Sequence, residues 1–286
     1  MYKSKTYGYE WEDYDEEGKS AENLIEEIME DGELSQIEEL IIASWGGAWD
    51  DSCQPIIDGI VENKEKFAHL KRLFIGDMDY EVCEVSWIMQ GDYSKLWKAL
   101  PGLKELTIKG STELNLGDIC HENLESLEII CGGLPSDVID QIANAKLPNL
   151  RKLNLYLGSD NYGFDGDEKT IQKLLEKTDF TKLEYLGLND SEMQDEVTEV
   201  ILASKYMSRI TTLDLSNGTL SDKGGQLLLE TLPKYPNITT VDLHFHYLSG
   251  EMMKKLESLP ISINLEEKKE AEEYDGEFYR YAMLTE

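Results

Sequence analysis

The sequence predicts an α/β fold, a leucine-rich-repeat solenoid shaped as a curved horseshoe with a concave parallel sheet and a mostly helical convex side. A pattern of the form L-x-x-L-x-[LI] returns along the chain. Its copies begin between 21 and 33 residues apart, and a period of this size with this signature indicates leucine-rich repeats. Most copies are followed by a segment long enough for a helix, as a parallel crossover requires. The eight copies begin at Ile37, Leu70, Leu103, Leu124, Leu150, Leu183, Ile210 and Ile238.

Each copy of the pattern predicts one short strand. Successive side chains of a strand point to opposite faces, so Leu153 and Leu155 should enter the core while Asn154 points outward. One repeat cannot bury its own apolar edge, and stacking of neighbouring repeats therefore makes the core continuous.

Capping residues predict where the returning helices begin. A helix is expected from about Ser20 to Asp31, and others should follow Pro135-Ser136-Asp137, Asp167 and Ser221-Asp222, because Ser or Asp before an apolar 3.6-residue period is a helix start signal. The return from Leu103 to Leu124 spans only 21 residues, so we expect no helix there.

Three segments are predicted along the chain. Residues 1–36 should form an N-terminal cap, 37–265 the leucine-rich repeats, and 266–286 an acidic linker with a C-terminal capping segment. A solenoid must cover the open faces of its first and last repeats. The alternative for the last segment is a flexible tail that serves as a peptide ligand.

Composition restricts the possible functions. The formal net charge of −31 disfavours nucleic acid, whose phosphates need clustered Lys and Arg, and favours a basic partner or cations. No apolar run reaches the length of a membrane span and no secretory signal is recognisable, so we expect a cytoplasmic monomer away from membranes. Cys53, Cys83, Cys120 and Cys131 are expected to be reduced and buried; a Cys120–Cys131 disulfide is the alternative.

Blocks outside the leucine pattern carry a resemblance. The chain resembles a family of uncharacterised bacterial cytoplasmic leucine-rich-repeat proteins, related in architecture to ribonuclease-inhibitor-like repeats. Phe245 departs from the family block, where a third histidine or a similar polar residue is expected. The blocks include Trp45-Gly46, Gly76-Asp77, Gly132-Gly133-Leu134-Pro135, Leu186-Gly187-Leu188, Leu213-Asp214-Leu215-Ser216, His244-x-His246-Tyr247-Leu248-Ser249 and Arg280-Tyr281.

The resemblance implies a single-domain cytoplasmic repeat protein with no assigned activity. Similar proteins are encoded near radical-SAM-type and hydrolase-like proteins, which implies an enzyme of a modification pathway as a candidate partner.

Outward strand positions in the C-terminal half are the first candidates for a binding surface. Asp214 and Asp242 occupy equivalent positions of neighbouring strands and should lie about 5 Å apart at the backbone. Carboxylates this close bind a cation, hold a proton between them or accept hydrogen bonds from a partner's Arg or Lys. The candidate residues of this half are Asn154, Tyr156, Tyr185, Asn189, Asp214, Asp242 and His244.

Aromatic residues are the second candidates. Trp45 and Trp49 flank a Gly-rich loop and, with Phe74, could anchor an interface; alternatively, both tryptophans pack against the N-terminal cap. Trp87, at helical spacing with Val85 and Ile88, is expected in the core.

The sequence therefore predicts a non-catalytic protein–protein interaction scaffold that binds a basic partner protein through its concave face. No nucleophile motif, phosphate loop or zinc spacing is present, so neither enzymatic activity nor a cofactor is expected. The alternative is a metal-dependent or catalytic module formed by Asp214, Asp242, His244 and His246. The sequence does not identify the partner or its pathway.

Overall fold

The eight leucine patterns form parallel β-strands, as predicted, in an α/β chain. The computed structural model describes residues 2–284, so Met1 and the last two residues of the predicted C-terminal segment lie outside the described residues. Within this part, unit 1 comprises residues 2–131 and 144–150, and unit 2 comprises residues 132–143 and 151–284.

Unit 1 alternates strands with helices and extended returns. Its strands β1 to β5 are parallel and hydrogen-bonded in chain order. The elements are β1 (Ser4–Tyr7), α1 (Trp11–Asp15), α2 (Ala21–Glu30), β2 (Glu39–Ile42), α3 (Gln54–Glu62), α4 (Lys64–Phe67), β3 (Arg72–Ile75), α5 (Leu96–Ala99), β4 (Glu105–Lys109) and β5 (Ser126–Ile130).

Unit 2 repeats a strand–helix alternation and ends in a hairpin. Strands β6 to β10 are parallel and paired in chain order, while β11 and β12 pair antiparallel. The elements are α6 (Ser136–Ala143), β6 (Lys152–Gly158), α7 (Glu168–Lys177), β7 (Tyr185–Ser191), α8 (Gln194–Leu202), β8 (Thr212–Asp214), α9 (Asp222–Thr231), β9 (Thr240–Asp242), α10 (Gly250–Glu257), β10 (Ser262–Asn264), β11 (Glu272–Tyr274) and β12 (Glu277–Tyr279).

The leucine spacing sets the strand register. The fourth pattern positions align across β2 to β5 as Leu40, Leu73, Leu106 and Leu127, and all four are buried. In unit 2 the same position gives a second buried ladder, whose members Leu153, Leu186, Leu213 and Val241 lie on β6 to β9. Burying one such side chain contributes about 1.5–3 kcal/mol to stability. A register slip would expose several of these side chains at once and lose the contribution of each.

The predicted helix starts are confirmed. Ser20 is the N-cap of α2, and Ser221 caps α9 by accepting a hydrogen bond from Lys223 N. Asp167 caps α7 by accepting from the backbone N–H groups of Lys169 and Thr170. The short third return is also confirmed, since residues 110–125 contain no helix.

Three features differ from the sequence expectations. Strand β1 was not predicted, because residues 4–7 lack the leucine pattern, yet β1 pairs with β2 along four residues. Trp87 is 58% exposed rather than in the core, since the segment forms one 3₁₀ turn that buries only Val85 and Ile88. All four cysteines are free thiols, and Cys120 is exposed, whereas the other three are buried.

No helix within residues 2–284 combines the length and the apolar character that a membrane crossing would need.

Candidate functional site

A hydrogen-bond network joins the outward side chains of β6, β7 and β8 in unit 2. The Asn189 side-chain amide donates to Asn154 Oδ1 at 3.1 Å and to Asp214 Oδ2 at 2.9 Å. Tyr185 Oη donates to the same carboxylate oxygen at 2.5 Å. Sequence analysis placed these four residues on one surface, and the structure brings them into direct contact.

Asp214 is the centre of this network. Its second oxygen, Oδ1, accepts hydrogen bonds from the backbone N–H and the hydroxyl of Ser216, at 3.0 and 2.6 Å. With Tyr185 and Asn189, four donors therefore surround one buried carboxylate. Hydrogen bonds to a charged group are stronger than neutral ones, so Asp214 fixes the side chains around it.

Asp242 differs from Asp214 although the two are direct register partners on β9 and β8. Its side chain is 33% exposed and accepts a hydrogen bond from the His244 backbone N–H at 3.1 Å. The His244 ring nitrogen Nδ1 lies 2.8 Å from the same Oδ1. Of the two neighbouring carboxylates, Asp242 is therefore the one that a partner can reach.

His246 does not join this group. It is fully buried, its Nε2 lies 3.1 Å from the Leu265 carbonyl oxygen, and its Nδ1 accepts a hydrogen bond from Leu248 N at 3.1 Å. The preceding residue, Phe245, adopts a left-handed backbone with φ of 57°. This interrupts the extended chain, and the His246 side chain lies in the core. Both ring nitrogens are thus engaged with the backbone, so the four-residue cluster considered for metal binding or catalysis does not assemble. Within residues 2–284, no group of three or more His, Cys, Asp and Glu side chains is arranged to hold a metal ion.

Two tyrosines give the surface its aromatic character. Tyr156 on β6 and Tyr185 on β7 are half-buried on the outward face. The Lys152 ammonium lies 5.1 Å from the centroid of the Tyr185 ring, within cation–π range. The face thus already holds one ammonium against an aromatic ring.

The outward face of unit 1 is different. Arg72 Nη2 lies 2.8 Å from Glu105, and Arg72 Nη1 lies 3.4 Å from Glu39, so one guanidinium is shared by the carboxylates of β2 and β4. Phe74 is half-buried on β3, where its register partners are Ile41 and Thr107.

The two candidate tryptophans of unit 1 are placed differently. Trp45 is completely buried and donates through its indole N–H to the Asp51 carbonyl oxygen at 2.8 Å, so it is a core residue rather than a surface anchor. Trp49 is half-buried and packs on Trp11 and Tyr14 of the N-terminal segment. Packing against the N-terminal segment was the alternative for these residues, and it describes Trp49.

Sequence reasoning missed the residues that hold the C-terminal segment. Asp190 is buried, adopts a left-handed φ of 54° and accepts a hydrogen bond from Leu284 N at 2.8 Å. Burial raises the pKa of the Asp190 carboxyl well above its usual range, and backbone hydrogen bonds from residues 283 and 284 oppose that rise. Arg280 donates to the Thr219 carbonyl oxygen at 3.1 Å, and Met283 N donates to Asn217 O at 2.7 Å. The only sequence signal was the Arg280-Tyr281 block.

No family model and no curated protein matches the chain. Among solved structures, the chain is similar to a protein from Bacteroides fragilis, determined by the Northeast Structural Genomics Consortium, with a TM-score of 0.86. The two sequences are 42% identical over 93% of this chain and 75% of the other.

The fold and the strand-face site thus define an α/β protein built from parallel strands with an outward polar, aromatic surface. At this identity and coverage, the chain belongs to the family of the Bacteroides fragilis protein.

Proposed function

We propose that the protein is a non-catalytic leucine-rich-repeat solenoid of the cytoplasm that binds a basic partner protein through its outward strand face. The leucine ladders of each unit support the repeat assignment, since the pattern positions align residue by residue between neighbouring strands. The binding surface is the face of unit 2 that carries Tyr156, Tyr185, Asp242 and His244. An enzyme of a modification pathway is a candidate partner.

The observation that carries this proposal is the network around Asp214. Because four donors fix that carboxylate, the neighbouring Tyr185 ring is held in one position before any partner arrives. Pre-ordered side chains lose little conformational entropy on binding, and tyrosine supplies a large contact area with few rotatable bonds. Asp242 then presents an accessible carboxylate beside this rigid aromatic surface.

The charge of the chain supports a basic partner. With a net charge of −31, the protein attracts cationic surfaces, and such steering weakens as salt screens it. Association should therefore slow as the ionic strength rises. The metal-dependent or catalytic alternative is not favoured by the geometry, because His246 faces the core.

Charge reversal at Asp242 tests the proposal. The protein is isolated from its own cells at low salt, and the co-purifying protein is then purified and titrated against each variant. Asp242→Lys should weaken binding at least about tenfold, which corresponds to about 1.4 kcal/mol.

Glu251→Lys is the matched control. It makes the same charge change at an exposed position of α10 in the same unit, and binding should stay within about twofold of the unmodified protein. If Asp242→Lys binds as tightly as Glu251→Lys, the strand face of unit 2 is not the binding surface.

A further inference from the structure

A small cavity of about 250 Å³ opens in unit 1, distant in sequence from the strand face of unit 2. Four aromatic residues line it, namely Tyr9, Trp11, Tyr14 and Trp49, together with the carboxylate residues Glu10 and Glu81. We call it the aromatic pocket. Its volume is below the usual range for drug-sized ligands, so it suits a single small chemical group.

Three rings of the aromatic pocket contact one another. Trp11 and Trp49 are stacked, with centroids 5.6 Å apart and an interplanar angle of 21°. Tyr14 meets Trp49 edge-on at 5.3 Å and Trp11 at 6.0 Å. Such mutual contacts hold the rings in place, although Trp11 itself is 57% exposed. Of the four rings, Trp11 is exposed, Tyr14 and Trp49 are half-buried, and Tyr9 is buried.

The backbone beneath Tyr14 is shaped to admit the ring. A Cβ at Gly47 would lie 2.9 Å from three atoms of the Tyr14 side chain, and one at Gly46 would lie 3.0 Å from Tyr14 Cδ2. The 2.9 Å contacts at Gly47 are shorter than real Cβ atoms make, and a Cβ at Gly46 would also lie 2.8 Å from the Lys19 carbonyl oxygen. The Trp45-Gly46-Gly47 stretch therefore lets the ring lie directly against the chain, and it fixes one wall of the pocket.

The chemistry of the lining favours a cation. The faces of aromatic rings carry negative electrostatic potential, and tryptophan binds cations best among them. Glu10 and Glu81 add formal negative charge to the lining. The Lys19 ammonium beside the Tyr9 ring is itself paired with the carboxylates of Asp13 and Glu17.

The same cluster already binds one ammonium group. Lys19 Nζ lies 5.1 Å from the centroid of the Tyr9 ring and 2.8 Å from Asp13 Oδ1. An ammonium group is therefore held here by a ring and a carboxylate together. The aromatic pocket offers the same two elements, with tryptophan in place of tyrosine.

We propose that the aromatic pocket binds a quaternary ammonium group, R–N(CH₃)₃⁺. A methylated ammonium has no N–H donors to satisfy, so ring faces can replace its weakly bound water, and the two carboxylates compensate its charge. The group is supplied either by a free small molecule such as choline or by a trimethylated lysine of a protein.

Titration of the full-length protein with choline tests the proposal. Tryptophan fluorescence is followed at constant ionic strength, with sodium chloride replaced in proportion. Saturable binding with a dissociation constant on the order of millimolar is expected. The neutral isostere 3,3-dimethylbutan-1-ol has the same shape without the charge and should bind at least about fivefold more weakly. Equal binding of the two compounds, or no saturable signal for choline, overturns the proposal.

Variants locate the binding to the pocket. Trp11→Ala removes an exposed ring and should weaken choline binding at least about fivefold. Glu81→Gln keeps the shape but removes a charge and should weaken it about twofold or more. Trp87→Ala is the control, because it also removes an exposed tryptophan of unit 1 but lies outside the pocket lining. If Trp87→Ala weakens binding as much as Trp11→Ala, the aromatic pocket is not the site.

A second set of ligands separates the two sources. A short peptide that contains trimethyllysine is compared with choline and with the same peptide carrying unmodified lysine. Tighter binding of the methylated peptide than of choline identifies a protein source, whereas comparable binding identifies the free cation. Stronger binding of the unmodified peptide would contradict a pocket for quaternary ammonium groups.

Discussion

Asn154 occupies the space that a side chain at Gly187 would fill, since a Cβ built at Gly187 would lie 1.9 Å from Asn154 Oδ1. Gly187 is the register partner of both Asn154 on β6 and Asp214 on β8. The missing side chain leaves a gap between those two residues. Asn189, two residues further along β7, bridges that gap by donating to both.

Gly187→Ala should therefore displace Asn154 and destabilise unit 2. Overpacking of this kind costs about 1–3 kcal/mol, and the gain in strand propensity from removing glycine offsets only about 0.5–1 kcal/mol of it. Urea unfolding of the variant and of the unmodified protein measures the difference.

Two further variants test whether the lost stability of Gly187→Ala comes from the clash with Asn154. Gly250→Ala lies at the start of α10 with no atom within 4 Å of the new methyl group, and it should leave the free energy of unfolding unchanged or raise it by about 0.4–1 kcal/mol. Adding Asn154→Ala to Gly187→Ala should relieve the clash. If the double variant is no more stable than the sum of its single changes predicts, steric conflict with Asn154 is not the cause.

Asp214 and Asp242 should respond differently to the same substitution. Asp214→Asn places an amide N–H₂ against donors that now surround a carboxylate, and should cost about 1.5–3 kcal/mol of unfolding free energy. Asp242→Asn alters a partly exposed contact with His244, and about 1 kcal/mol or less is expected. Urea unfolding of both variants checks the order, and equal losses would show that the buried network does not depend on the Asp214 charge.

The sequence was sufficient to predict which residues share the outward face. Leucine spacing determines the register because a slip by one residue would expose every core side chain, and the neighbouring placement of Asp214 and Asp242 follows from it. A separate, local signal predicted the helix starts at Asp167 and Ser221, because Asp and Ser side chains accept hydrogen bonds from the first backbone N–H groups of a helix.

The different roles of the two aspartates were not predictable in this way. Whether a strand carboxylate is buried or accessible depends on donors from other strands, such as Tyr185, and on the gap that Gly187 leaves. The burial of His246 depends on one left-handed residue, Phe245. A strand pattern contains no information about either.

The contacts of the C-terminal segment were still harder to predict from the sequence. Its hydrogen bond to Asp190 joins residues 94 positions apart, and no periodic pattern links them. The exposed tryptophan at position 87 shows the same limit, because its helical spacing with Val85 and Ile88 predicts a core position, whereas the segment forms a single 3₁₀ turn.

Asp190→Asn should change how stability depends on pH. The pKa of Asp190 is raised in the folded protein, mainly by burial and to a small extent by the charge of Glu192. A raised folded pKa stabilises the fold at pH values below the unfolded pKa of about 3.9, and that stability is lost as the pH rises through the folded value. Asparagine is nearly the same shape, tolerates the left-handed backbone and keeps a carbonyl oxygen for Leu284 N.

The variant should therefore gain stability relative to the unmodified protein as the pH rises above about 4, by up to about 1.4 kcal/mol per pH unit while the folded carboxyl retains its proton. Urea unfolding between pH 5 and 8, expressed as the difference between the two proteins at each pH, isolates this contribution from that of all other carboxylates. Parallel curves for Asp190→Asn and the unmodified protein would mean that the buried carboxyl titrates like one in the unfolded chain.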